Sequence, residues 1–100
     1  MTRSHLHLRS RPGRREELLQ ELDRLEMIVA VREQPGLLGV EVLVSEDDPD
    51  DVLVDASWSS LEHYERWLSS DAGDTLLGGL QRLLEGEPET SVYRLVDTIS

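Results

Sequence analysis

Between residues 3 and 9 the chain alternates, with Arg3, His5, His7 and Arg9 on one parity and Ser4, Leu6 and Leu8 on the other. A period of two is that of a half-buried strand, so the imidazoles are predicted to stand on the face opposite the leucines. Pro12 and Gly13 end this strand. From Arg14 to about Glu33 the period changes: leucines at 18, 19, 22 and 25, then Ile28, Val29 and Val31, predict one long amphipathic helix that Pro35 and Gly36 stop. Residues 37 to 45 are rich in Leu and Val and predict a strand; the run Glu46-Asp47-Asp48-Pro49-Asp50-Asp51 then turns the chain into a third strand, Val52 to Trp58.

Ser59 is followed three residues later by Glu62, the spacing of a capping box, and Leu61, Tyr64, Trp67 and Leu68 recur at helical intervals, predicting a helix over about 60–69. Ser70 and Asp71 can cap another helix carrying Leu76, Leu77, Leu80, Leu83 and Leu84. Gly78 and Gly79 weaken that helix, so either it bends there or something approaches its backbone closely. Gly86 to Pro88 breaks the chain and Ser91 to Ile99 predicts a last strand. The order β-α-β-β-α-α-β is that of a ferredoxin-like α+β fold, a four-stranded antiparallel sheet with helices on one face. A face left bare would be sticky, and a second copy is the expected cover.

One hundred residues suffice for one domain, expected to span 1–100, but not for a catalytic domain plus a binding domain. With no cysteine, disulfides, thiolate zinc sites and a cysteine nucleophile are excluded. No apolar run approaches a membrane span and the start lacks the apolar core of a signal peptide, so the expected location is cytoplasmic, with no membrane partner. The net charge of −11 opposes nucleic-acid binding. All ten basic residues are Arg, and Arg3, Arg9, Arg11, Arg14 and Arg15 cluster at the start, where they read as a solvated edge or as a basic rim for an acidic substrate.

The stretch Trp58-Ser59-Ser60-Leu61-Glu62-His63-Tyr64-Glu65-Arg66-Trp67 resembles the strand-to-helix motif of the antibiotic biosynthesis monooxygenase family. Gln34-Pro35-Gly36-Leu37-Leu38-Gly39 is similar to that family's turn into its second strand, and Arg11-Pro12-Gly13 to its entry into the first helix. The resemblance covers about residues 3 to 98 and implies a dimeric α+β barrel. It places the active cavity inside each subunit, between the open side of the sheet and the helices, open to flat aromatic molecules.

Alternation sets Glu41 with Gly39 and Leu43, and Asp55 with Leu53 and Ser57. If those faces coincide with that of His5 and His7, His7 has carboxylates as neighbours. An imidazole so placed can take a proton from a phenol or an anthrone-type carbon acid, giving a carbanion able to react with dioxygen. The alternative is that these groups face water or form a structural network. Trp67 is either core or, as the resemblance implies, a cavity wall; His63 and His5 are candidate substrate contacts, while Trp58 and Tyr64 read as core or interface. Tyr93 and Arg94 should point to opposite faces.

The haem-degrading branch of the family places an axial His ten residues beyond the second Trp, where this chain has Leu77. The acidic run lacks the spacing of a calcium loop, and His5 with His7 would need a third ligand to hold a metal, so neither cofactor nor metal is expected. The expected function is a cofactor-independent monooxygenase acting on an aromatic quinol or anthrone-type small molecule in secondary metabolism. Molecular oxygen is its co-substrate, His7 its base, Asp55 or Glu41 the orienting group and Trp67 a stacking wall. The alternatives are a small-molecule-binding or stress-response protein of the same fold and, further off, a haem-degrading monooxygenase.

Overall fold

A computed structural model of the chain describes residues 1–24 and 34–99. Strand β1 (Thr2–Arg9) leads to helix α1 (Arg15–Arg24), then strands β2 (Leu37–Val44) and β3 (Asp51–Trp58), helices α2 (Leu61–Leu68) and α3 (Asp71–Leu80), a 3-10 turn (Gln81–Leu83) and strand β4 (Glu89–Arg94). The continuation of the first helix predicted to Glu33 lies outside the described residues. The strands form one antiparallel sheet in the order β2-β3-β1-β4, the ferredoxin-like topology that the element order predicts.

The period-two pattern decides which face meets the helices. Thr2, Ser4 and Leu8 on β1 are buried, as are Val52, Val54, Ala56 and Trp58 on β3, and the helices pack on this side. Leu18 and Leu22, one turn apart on α1, join Leu8, Val52, Val54, Leu80, Leu83 and Leu84 in the main core. A second cluster of Ala56, Trp58 and Tyr64 lies beneath α2. Glu21, buried on α1, is held by Arg24 and reaches Arg82 of the 3-10 turn at 3.5 Å, so that its charge is not left alone.

Three local expectations change. The α2 cap is Ser60, not Ser59: the Ser59 N–H donates to the Gly36 carbonyl at 2.7 Å, which keeps Ser59 in the strand-to-turn connection and starts the helix one residue later. Helix α3 runs unbroken through Gly78, and a Cβ built there finds nothing within 4 Å. Strand β4 stops at Arg94 instead of Ile99: Arg94 pairs with Thr2, and the Leu95 N–H donates to the Met1 carbonyl at 2.8 Å. Val96 and Ile99 consequently stand 83% and 93% exposed.

Of the early arginines, Arg3, Arg11 and Arg14 are exposed, as a solvated edge requires, while Arg9 and Arg15 hold a hairpin tip. Arg9 grips Asp48 at 2.6 Å, and Arg15 donates to the carbonyls of Ser45 and Asp48, so β1 and α1 hold the acidic tip of the β2–β3 hairpin. Within the tip, Ser45 Oγ accepts from the N–H groups of Asp47 and Asp48, and Asp48 Oδ1 from that of Asp50. Among the described residues no helix is long and apolar enough to cross a membrane.

Candidate functional site

The sheet divides the sequence-derived candidates into two groups. Arg3, His5, His7 and Arg9 project from the face that carries no helix, as does Asp55 from β3. Register places Glu41 opposite Asp55, Asp55 opposite His5, and His5 opposite Ser91, so one polar row runs across all four strands. His7 lies in the next row, between Leu53 and Glu89. The direct imidazole partner of Asp55 is therefore His5, with Nε2 at 3.5 Å from Oδ1. That oxygen is buried and accepts no hydrogen bond. Tyr93 belongs to this face too, its ring centroid 5.1 Å from that of His5, whereas Arg94 falls on the helix side, as alternation predicts.

Trp67 and His63 belong to α2, across the sheet from this row. His7 and Trp67 therefore do not border one void: the alternation that buries Leu8 beneath the helices turns His7 away from them. Trp67 is half-buried with its ring 5.9 Å from that of Trp58, and Trp58 in turn meets Tyr64 at 5.9 Å. The Trp58 indole N–H donates to buried Ser4 Oγ at 3.0 Å, which fixes the ring that Trp67 leans on. Burial holds the Tyr64 phenol above its ordinary range, with a Thr90 hydrogen bond pulling the other way. Trp58 and Tyr64 are thus core, as read from the sequence.

On the helix side of β2, Leu37 and Val40 pack beside Trp67 and Leu68, while Val42 and Val44 remain 45% and 42% exposed. Together they give the α2 side of the sheet an apolar floor. His63 stands one turn before Trp67, on the same face of α2. Its ring lies against Gly36, where an added Cβ would come within 2.3 Å of the imidazole, and Gly36 adopts φ +83°. A groove of about 530 Å³ between the start of α2 and the end of β4 is lined by Thr2, Leu61, Val92, Tyr93, Arg94 and Val96, none of them a predicted catalytic group.

The residue that sequence reasoning passed over is Ser60. Its Oγ lies 2.7 Å from His63 Nδ1 and accepts the His63 backbone N–H at 3.4 Å, with Ser59 Oγ at 3.2 Å from the same Nδ1. The Glu62 carboxylate is held below its ordinary range by its own backbone N–H and by the Ser60 hydroxyl. The two serine hydroxyls hold the His63 ring through Nδ1 at the start of α2. The adjacent serines before Glu62 were the available signal, but a cap and a hydrogen-bond relay look alike in sequence.

The family profile described as antibiotic biosynthesis monooxygenase matches residues 1–73. The chain belongs to the antibiotic biosynthesis monooxygenase family. This family member shares its fold with SnoaB, a cofactor-independent oxygenase from Streptomyces nogalater, at a TM-score of 0.78 and 16% identity, over 98% of this chain and 96% of that one. A conserved protein from Methanosarcina mazei Go1 superposes with a TM-score of 0.78 at 18% identity, over 93% and 90% of the two chains. A heme-degrading monooxygenase of Bacillus thuringiensis (strain Al Hakam) is 34% identical over 53 residues, which make up 51% of this chain and 50% of that protein. The chain thus spans about half the length of the curated relatives it matches.

Residue 77 of α3, where the haem-degrading branch resembled by the motif carries its axial imidazole, is a leucine. His5 and His7 face the other side of the sheet, and His63 meets two serines through Nδ1 at the start of α2. Among the described residues no three His, Cys, Asp or Glu side chains converge to hold a metal ion.

Proposed function

We propose that this protein is a monooxygenase working without haem, flavin or metal, as a homodimer, on an aromatic quinol or anthrone-type small molecule with dioxygen as co-substrate. The observation that carries the reading is the 2.7 Å contact of Ser60 Oγ with His63 Nδ1, which holds the imidazole one helical turn before Trp67. His63 Nε2 takes a proton from the phenol or the activated carbon, and the resulting carbanion is electron-rich enough to pass an electron to dioxygen. Recombination forms a C–O bond; on an anthrone carbon, loss of water leaves a carbonyl where two hydrogens stood, and on a quinol a ring C–H becomes C–OH while both quinol hydroxyls become quinone carbonyls, so in each case one oxygen atom enters the product and the other leaves as water. Trp67 supplies a flat wall, and Val40, Val42 and Val44 supply an apolar floor that suits a substrate with few charges.

A second reading places the base on the bare face, where His5 approaches Asp55 at 3.5 Å and the sequence-derived base His7 stands in the next row. Oxygen uptake with an anthrone and a hydroquinone separates the two. H63Q is expected to lower kcat by about 10²- to 10⁴-fold, the usual contribution of a general base, and H7Q to leave it within about threefold. The reverse pattern transfers the base to the bare face. Failure of the unaltered protein to turn over any such substrate favours a small-molecule-binding role on the same fold.

A further inference from the structure

The chain holds two Trp, two Tyr and no Phe, so each of its four large aromatic rings can give up one electron. Three of the four stand in line. Trp67, half-buried one turn after His63, has its ring 5.9 Å from that of Trp58, and Trp58 meets Tyr64 at the same distance. Trp58 and Tyr64 are 1% and 5% exposed, so Trp67 is the member open to the site. At the other end the Tyr64 phenol shares a hydrogen bond with Thr90, exposed on β4. We propose that Trp67, Trp58 and Tyr64 form an electron-hole relay that draws one-electron oxidising equivalents out of the site and delivers them to Tyr64 beside β4. The inference takes its oxidant from the monooxygenase reading given above.

Electron transfer weakens steeply with distance, and rings in contact exchange a hole far faster than an indolyl radical adds oxygen. Buried Trp and Tyr each bring a polar atom that needs a partner, here Ser4 for Trp58 and Thr90 for Tyr64. Those partners decide how the relay handles protons. The Ser4 hydroxyl is too weak a base to take the indole proton, so an oxidised Trp58 stays cationic and passes the hole on. Tyr64 forms a phenoxyl by losing its proton, and Thr90, donor and acceptor at once, connects that proton to water. A neutral phenoxyl is a weaker oxidant than an indolyl radical, so the hole settles on Tyr64.

The oxidant is a peroxyl or hydroperoxyl radical that escapes recombination with the substrate. It takes one electron from Trp67 and one proton from water, becoming a hydroperoxide or hydrogen peroxide. Trp58 then refills Trp67, Tyr64 refills Trp58, and the phenolic proton leaves through Thr90. A small thiol supplies one electron and, through Thr90, one proton, which restores the phenol and leaves a thiyl radical. Peroxyl radical and thiol have become hydroperoxide and thiyl radical, and no ring is consumed.

Pulse radiolysis of the protein without substrate tests the relay. Azide radicals oxidise tryptophan, and the indolyl band is expected to decay as the phenoxyl band grows, at a rate independent of protein concentration. Y64F should lose that growth, and Y93F, whose ring lies beside His5, should keep it. W67F, which closes the entrance, should lose most of the growth and W58F should slow it several-fold, with circular dichroism confirming that each variant is folded. Growth that persists in Y64F, disappears in Y93F, or is as fast in W58F or W67F as in the unaltered protein overturns the relay. Peroxyl radicals from a thermally decomposed azo initiator, with glutathione present, give the second measurement. Peptide mass spectrometry should find oxygen added at Trp67 several-fold faster in Y64F than in the unaltered protein, and equal rates overturn the protective role. Neither measurement uses turnover, so a failed relay leaves the monooxygenase reading standing, and absent oxygen uptake leaves the relay standing.

Discussion

Ser4 and Trp58 show how one buried hydroxyl can carry a site it does not touch. The Ser4 hydroxyl takes the indole proton of Trp58, and Trp58 supports the rings of Trp67 and Tyr64. Ser4→Ala leaves a buried indole N–H without a partner, and the expected loss is about 1–3 kcal/mol of stability, the desolvation cost of an unpaired donor. Urea unfolding followed by tryptophan fluorescence measures it; a midpoint equal to that of the unaltered protein would show that the bond contributes nothing net. The alternation Ser4, Leu6, Leu8 was visible in the sequence, and so was the strand. What could not be seen was that a polar residue on the buried parity is kept there by an indole 54 positions away.

Among the elements, two glycines give opposite expectations. Gly78 lies inside α3 with open space where a Cβ would sit, so Gly78→Ala should stabilise the fold by about 0.5–1 kcal/mol through helix propensity and a less flexible unfolded chain. Gly36 combines φ +83° with the His63 ring at a distance no side chain tolerates. Gly36→Ala should therefore cost more than about 1 kcal/mol and displace His63, lowering both melting temperature and oxygen uptake. Thermal melts of the pair, read in opposite directions, check the contrast. Sequence spacing located both helices because capping and apolar periodicity are local. It missed the start of α2 by one residue because the Ser59 amide is claimed by a carbonyl across the turn.

At the scale of the molecule, the acidic hairpin tip is tied to two other elements, β1 through Arg9 and α1 through Arg15. The Asp48 carboxyl is held below its ordinary value by the Asp50 N–H first and the Arg9 guanidinium second. A depressed carboxyl stabilises the folded state above its unfolded pKa, about 4, and loses that contribution as pH falls through the lower folded value. Asp48→Asn should therefore be less stable than the unaltered protein at pH 5 to 8 and should converge with it toward pH 2; urea midpoints across that range test the sign. The sequence by itself determined the strand and helix order, the antiparallel sheet, the buried parity of β1 and β3 and the family, because periodicity, caps and turn residues act over a few positions. Tertiary structure decided which imidazole meets which carboxylate, which parts His7 from Trp67, and which serine holds His63. Those outcomes depend on register and on the side of the sheet the helices cover, and both are set only when segments distant in sequence pack together.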